Sequence, residues 1–439
     1  MVELITEFEP RLHRRYQQLV MEHLSPAQKI AAGLRALPDQ GSAFASTQAA
    51  WRFYANERVT QQELIRPILE YAQQAVQAEC KQYALCLHDW SPLYYGKHNG
   101  KQDRIQLGKK KALGYELQTS LVISDQNGNP LAPLSHSLFS SRGINSTRTA
   151  SLLPDTPQID EVGEAFATTD GMNFSVPIVH IIDRGGDSIF HYRQWQTQKA
   201  LWIVRADKVQ NVEWRGEKIL LRDVPAKVQF RFRRKVKIKG IKARQYVAET
   251  EVTITRAARP HRRQNGEPVP RRTITGEAVR MRLIVSQVRD KEGRVLSEWL
   301  LYSNLESEVA AQQIALWYYW RWRIESYFKL MKSAGQNLEQ WQQETPHALL
   351  KRLIVASMAC VVVWQIARAK GEEAEEFRRV LIRLSGRQMK WGVSYTYPAL
   401  LAGLWSLLAM LDVLQHYEVN GLRQMAKLFL PDYTRFDKG

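Results

Sequence analysis

The stretch YYWRWRIESYFKLMK, from Tyr318 to Lys332, crowds a phenol, two kinds of cation and a carboxylate among tryptophans. At 3.6 residues per turn, with Tyr318 as zero, Arg321, Glu325 and Lys332 fall at about 300°, 340° and 320°, on one narrow stripe. Trp317, Trp320, Ile324, Phe328 and Met331 occupy the adjoining arc, so the spacing predicts a polar stripe at the edge of a buried helix face. Such an edge suits a phosphate-bearing substrate. Arg321 and Lys332 would each donate to a non-bridging oxygen, Tyr318 would add its hydroxyl, and Glu325 would face a metal. The plain alternative is a core helix on which Glu325 and Lys329 form an (i, i+4) pair.

Two further acids lie where apolar runs end. YALCLHDW runs up to Asp89, and SVPIVHIIDRGGDS gives a strand apolar on both faces that stops at Asp183, before two glycines. Ends of buried strands are where open α/β sheets gather ligands. Three acids brought together without a counter-charge would repel, and a hard divalent cation satisfies them. Two magnesium ions shared by Asp89, Asp183 and Glu325, or manganese in their place, would activate a water or 3′-hydroxyl and stabilise the leaving oxygen of a phosphodiester. The ten histidines show no HExxH or comparable zinc spacing, which argues against the common hydrolytic zinc sites. Taken singly, each aspartate reads better as a cap or turn residue; only its conjunction with the stripe and the basic charge favours the metal.

That charge is substantial: 62 Lys+Arg against 44 Asp+Glu leave a formal net charge of +18, which favours a polyanionic partner through counterion release. Double-stranded DNA is the first candidate. A membrane surface is disfavoured because MVELITEFEPRL is acidic and lacks a basic region followed by an apolar one, and LIVASMACVVVWQIA is about 15 residues long against the roughly 20 needed to span. That run reads as a buried helix. Cys80, Cys86 and Cys360 are too few and scattered for a disulfide framework or thiolate zinc site, so a reducing cytoplasm is expected.

Residues 1–80 read as a helical N-terminal DNA-binding domain, with Ser46 or Thr47 capping a helix that carries Trp51, Phe53 and Tyr54; a bundle whose aromatics are simply its core is the competing reading. An α/β core starts over 81–207, where GYELQTSLVISDQNGNPLAPLSHSLF predicts two strands turning at Asn127-Gly128-Asn129 and PQIDEVGEAF a helix. Residues 208–297 read as a β-rich insertion. Within it, RFRRKVKIK puts Arg231, Arg233, Lys235, Lys237 and Lys239 on one side of a strand and Phe232, Val236 and Ile238 on the other, with Arg234 breaking that face. A wholly cationic side fits a DNA-tracking surface better than a plain solvated face. The core resumes over 298–370 with the Glu325 helix, and 371–439 is a helical, apolar C-terminal region suited to core packing or to dimerisation.

The spacing Y-x2-R-x3-E-x6-K of Tyr318, Arg321, Glu325 and Lys332 resembles the hallmark of the DDE transposases of the bacterial insertion-sequence family four, the hairpin-forming cut-and-paste type. HDWSPLYY at Asp89, DRGGD at Asp183, WLLYSN at Trp299 and EQWQQETPHALLKRLIVAS extend the resemblance over most of the chain up to about residue 370. The resemblance implies a ribonuclease-H-like core interrupted by a β-rich insertion, with Asp89, Asp183 and Glu325 as the metal triad. It further implies nicking at the transposon ends, a hairpin intermediate, its reopening, and attack of the 3′-ends on target DNA by a homodimer in a synaptic complex. Trp299 would stack on a flipped base during hairpin formation, against the alternative of a core tryptophan. A cytoplasmic, nucleoid-associated bacterial enzyme is the expectation, with a catalytically silent DNA-binding regulator and a structure-specific nuclease as rivals.

Overall fold

The structure is a computed structural model and describes residues 9–23, 40–108, 112–148, 158–238, 240–259, 263–264, 267–268 and 272–429. These residues form eleven helices and a sheet of thirteen strands, with a separate two-stranded ribbon. Helices α1 (Pro10–His23), α2 (Gln40–Ala55) and α3 (Gln61–Glu79) precede strands β1 (Ala84–Tyr94), β2 (Ile105–Gln106), β3 (Leu113–Ser124), β4 (Pro130–Ser140) and β5 (Gly143–Ser146). Helix α4 (Gln158–Asp170), β6 (Ile178–Ile182), α5 (Ile189–Thr197) and β7 (Leu201–Arg205) alternate. A long β stretch follows: β8 (Asn211–Trp214), β9 (Glu217–Leu220), β10 (Arg231–Ile238), β11 (Ile241–Ile254), the ribbon β12 (Arg263–Gln264) and β13 (Glu267–Pro268), β14 (Val279–Arg289) and β15 (Val295–Ser303). Helices α6 (Ala311–Trp320), α7 (Trp322–Met331), α8 (Pro346–Arg368), α9 (Glu372–Leu384), α10 (Tyr397–Leu414) and α11 (Val419–Phe429) complete the chain.

The chain divides into two compact units. The first holds Arg58–Phe328 and Glu344–Lys351. Its sheet runs β5-β4-β3-β1-β6-β7-β15-β14-β11-β8-β9, with β2 beside β3 and β10 beside β11. Strands β4, β3 and β1 are antiparallel neighbours, whereas β1, β6 and β7 run parallel, their crossovers made by helices α4 and α5. Strands β8–β11, β14 and β15 therefore extend the same sheet, and only the β12–β13 ribbon stands apart from it. Strand β6 is buried at every position, as its unbroken apolar run predicts. Trp195, Trp202, Tyr192, Tyr302 and Phe166 fill a core on one face, and each buried tryptophan removes roughly 150–250 Å² from water, about 4–6 kcal/mol before entropy.

The β3–β4 turn shows why glycine stands at 128. Its φ is +68°, and a Cβ there would lie 2.5 Å from the Trp320 ring, so both the backbone and the helix packed on the turn exclude a side chain. Helix α3 begins at a reciprocal capping box between Thr60 and Glu63. Ser46 and Thr47 are not caps: α2 already starts at Gln40, so both lie inside it. Phe53 and Tyr54 of that helix are buried, as a packed bundle requires.

The second unit takes Glu7–Glu57, Lys329–Gln343 and Arg352–Gly439. In it, Gln336 Nε2 and Trp405 Nε1 both donate to the His23 carbonyl, at 2.9 and 3.2 Å. Helices α9 and α10 meet so closely that a Cβ on Gly403 would sit 1.9 Å from the Leu381 carbonyl oxygen. Helix α8 is 23 residues long, longer than its apolar run suggests; α8 and α10 are both long and apolar enough to span a bilayer, and α8 is mostly buried within the protein.

Candidate active site

Strand register assembles the acids. In the parallel pair β1–β6, His88 stands opposite Ile182, so the next residues, Asp89 and Asp183, emerge side by side. Asp89 does not end its strand: β1 continues to Tyr94, and Asp89 stays paired with Thr119 of β3, because SPLYY keeps its ladder with β3 after leaving β6. Asp183 does end one. It opens a 3-10 turn over Arg184–Gly186, and its Oδ1 accepts the Gly185 N–H at 2.8 Å. In the next strand, Val204 stands opposite Ile182, which brings Arg205 of β7 alongside Asp183.

Glu325, on α7, lies within electrostatic reach of Asp89. Its charge and that of Asp183 both act on Asp89, whose carboxyl is pushed up to about 6, mainly by burial, despite the opposing pull of Arg321 and of the Trp90 N–H. Arg321 Nη1 binds Asp89 Oδ2 at 2.5 Å, and Trp90 N–H binds Oδ1 at 2.9 Å. Burial lowers the Arg321 pKa, but Asp89, Tyr318 and Asp183 outweigh it and hold the guanidinium above its ordinary value. Tyr318 is buried beside Arg321, with Arg205 and Asp183 also within electrostatic reach; burial raises its pKa.

The expected single helix is broken. Arg321 joins α6 to α7 through tight i→i+3 bonds, its N–H to the Tyr318 carbonyl and the Ile324 N–H to its own carbonyl, both 3.1 Å. Tyr318 and Arg321 remain neighbours, yet the helical wheel does not hold unbroken through Lys332. Lys332 follows the last residue of α7 and belongs to the second unit, where its Nζ lies 3.6 Å from Glu339 Oε1.

Trp299 is half-buried on β15, edge-on to Tyr318 at 5.3 Å and nearly parallel to Tyr319 at 6.4 Å between ring centroids. Tyr319 and Trp322 are exposed large aromatics next to Arg321. The Arg234 guanidinium lies 5.5 Å from the Tyr319 ring and is held by Gln245, which in turn donates to Ser286, the residue opposite Trp299. Sequence reasoning missed Arg205, Arg234, Tyr319 and Trp322. For Arg205 a signal was available, since it ends the apolar run LWIV as Asp183 ends its own.

The basic strand is corrected by a β-bulge. Register shifts between Phe232 and Arg234, leaving Arg233 as the extra residue. Arg231 (opposite Val247) and Arg234 (opposite Gln245) therefore share one side with Val236 and Ile238, a side half-buried at all but Arg231. Phe232, Lys235 and Lys237 share the other, facing Tyr246, Arg244 and Lys242 in turn. Arg289 of β14 pairs with Arg244 and joins that side, so the cationic face keeps Lys235 and Lys237 of the expected set, loses Arg231 to the other side, and gains Lys242, Arg244 and Arg289. Lys239 lies outside the described residues.

A second cluster of ligand-type side chains, Cys86, His88 and His180, keeps its donor atoms within 4.8 Å of one another in the core. Hydrogen bonding accounts for it. Ser120 Oγ accepts from Gln118 Nε2 and Ser135 Oγ, so its own proton goes to His88 Nδ1 at 3.0 Å. His88 Nε2–H then donates to His180 Nδ1 at 2.9 Å, and His180 Nε2–H to Asp170 at 3.0 Å. The chain closes with neutral rings and every nitrogen partnered, a brace across β3, β1, β6 and α4.

Residues 155–362 match the family model of the transposase DDE domain. The matched span is a little under half of the 439-residue chain. Asp183, Trp299, Tyr318, Arg321, Glu325 and Lys332 lie inside the matched span, while Asp89 lies before it and joins the site through its strand. No curated protein matches the sequence. Among solved structures, the chain is similar to the piggyBac transposase in a synaptic complex with hairpin DNA, at 8% identity and a TM-score of 0.37 over 92% of this chain and 72% of that one, a likeness too slight to bear on function.

Proposed function

We propose that the chain is a magnesium-dependent cut-and-paste DNA transposase of the hairpin-forming kind. It would bind the terminal inverted repeats of an insertion sequence, excise the element through a hairpin on the transposon end, and join the 3′-ends to target DNA. The observation that carries this reading is the register that sets Asp89 beside Asp183 in the middle of the sheet, with Arg321 bound to Asp89 and the Glu325 charge acting on it, in a chain whose residues 155–362 match a DDE domain. The strand order β4-β3-β1-β6-β7, antiparallel then parallel, supports a ribonuclease-H-like core. Exposed Leu411, Val413 and Leu414 on α10 and Leu428 on α11 support a surface for a second copy.

The donor set fits a hard divalent ion, being wholly carboxylate oxygen in a partly buried setting. Magnesium bound there would supply an activated water or 3′-hydroxyl and a stabilised leaving oxygen. The protein's own part is positioning and charge. Arg321 holds Asp89 and would turn to a phosphate oxygen when DNA binds; buried Tyr318 would brace it. Trp299 and Tyr319 offer aromatic faces to an unpaired base. In each joining step the attacking 3′-oxygen forms a bond to phosphorus, and the displaced 3′-oxygen leaves with the proton released.

Glu325→Ala tests the reading. In magnesium it should abolish cleavage of the element's end DNA and leave binding to the terminal repeats intact; cleavage at the wild-type rate would remove Glu325 from the site and the reading with it.

A further inference from the structure

We infer that His136 and Tyr327 form a positioning pair that sets the roll of helix α7 about its axis and so aims Glu325 at Asp89 and Asp183. The inference rests on the metal-dependent reading of that site. It concerns two residues that neither the motif spacing nor the acid triad includes.

Sheet register carries the first half. Asp89 of β1 stands opposite Thr119 of β3, which stands opposite His136 of β4, so one row on one face of the sheet reads Asp183, Asp89, Thr119, His136. With strands about 4.8 Å apart, His136 lies roughly 10 Å across the face from Asp89. That is the width of a helix with its side chains, about 10–12 Å.

Helix α7 carries the second half. Around its axis Glu325 and Tyr327 are about 200° apart. The buried residues Ile324 and Phe328 fall in the arc between them, so the two side chains flank the sheet-facing stripe on opposite sides. Tyr327 lands on His136: the rings are nearly parallel, with 17° between planes and centroids 6.1 Å apart, and the hydroxyl is 3.4 Å from Nε2. His136 Nδ1 is tied in turn to Thr119 Oγ1 at 3.0 Å. All three are buried, with Thr119 and His136 fully inaccessible.

A greasy contact at this flank would stabilise the helix yet let it roll, because dispersion has little directional preference. A ring stacked on a ring, with hydrogen bonds running back into the sheet row that holds Asp89, fixes the angle. Upstream, Trp320 sits on Gly128 and Trp317 Nε1 donates to the Asp125 carbonyl at 3.2 Å, so α6 is pinned to the same β3–β4 hairpin. Groups that orient ligands in this way commonly change metal affinity by 10–100-fold when removed.

The test is Mn2+ binding to the full-length protein, followed by the electron paramagnetic resonance of free Mn2+, with Glu325→Gln identifying the site. His136→Leu and Tyr327→Leu should each weaken Mn2+ binding by about tenfold or more, and His136→Gln should recover part of the loss. A role in packing alone would lower the melting temperature and the fraction of binding-competent protein but leave the dissociation constant of the remainder unchanged. Should the leucine variants fail to fold, Thr119→Val and Tyr327→Phe, each removing one hydrogen bond, are read the same way. A dissociation constant within twofold of wild type in the folded variants overturns the inference. Wild-type protein lacking any Mn2+ site sensitive to Glu325→Gln would instead overturn the metal-dependent reading beneath it.

Discussion

Arg321 and Asp89, 232 positions apart in the chain, meet as guanidinium and carboxylate at 2.5 Å with each side chain about one-tenth exposed. The pair is a counter-ion already in place beside Asp183 and Glu325. It lets three acids coexist in the absence of an external cation, and it occupies an oxygen that a metal would want.

Arg321→Ala should therefore destabilise the metal-free protein, by an amount on the order of 3 kcal/mol, because a buried carboxylate is left beside two others. Millimolar magnesium should then raise the melting temperature of the variant more than that of the wild type, since the ion takes over the missing charge. Equal or smaller stabilisation of the variant, by scanning calorimetry, would show that Arg321 is not the counter-ion of the cluster.

Trp299 is only half-buried and leans on Tyr318 and Tyr319 rather than filling the core. Trp299→Ala should permit the first nick at the transposon end and reduce hairpin product, resolved on denaturing gels, by about tenfold or more, as loss of a base-stacking contact of about 1–3 kcal/mol would. Wild-type hairpin yield returns Trp299 to a packing role.

Lys235 faces Arg244 and Lys237 faces Lys242 directly across the β10–β11 ladder. Like charges so placed weaken a hairpin, and a phosphate backbone lying over them relieves the cost. Reversing both lysines, Lys235→Glu with Lys237→Glu, should leave the melting temperature unchanged or higher, since each new acid meets a cation. The same change should flatten the salt dependence of DNA binding by about two units of log–log slope. A slope equal to the wild type's means this face looks onto bulk water.

Asp187, in the turn after Asp183, is held up at about 6 by burial, against the hydrogen bonds it accepts from the Asp207 N–H and the Tyr192 hydroxyl. The unfolded chain releases this proton first, near the ordinary carboxylate value. Stability should be greatest below pH 4, fall as pH rises from about 4 to about 6, and be flat in this respect above that. Asp187→Asn should remove this part of the slope in urea denaturation series; a variant whose pH profile parallels wild type assigns the slope to other groups.

Much of the site was readable because its members obey short-range rules. Tyr318, Arg321 and Glu325 keep helical neighbours, and Asp183 closes an apolar strand before glycines. What escaped depends on pairing between distant segments. The bulge at Arg233 inserts one residue into an otherwise regular alternation, and only the partner strand β11 reveals it. The extension of β1 beyond Asp89 likewise depends on β3, since β6 stops pairing at His88. Arg321 at the junction of two helices has helical dihedrals itself, so nothing in residue type marks the break. His136 and Tyr327 meet only because sheet register puts His136 in the row of Asp89, where α7 lays Tyr327 on it.

Because β1 runs on past Asp89, that acid's backbone is laced into the β3 ladder on both sides, whereas Asp183 hangs from the last residue of β6 on a turn of consecutive glycines. The candidate centre thus has one wall fixed by a strand ladder and one carried on a turn. In the proposed reaction, adjustment to successive DNA strands would fall to the Asp183 turn, and the Asp89 side would serve as the fixed datum for each phosphate.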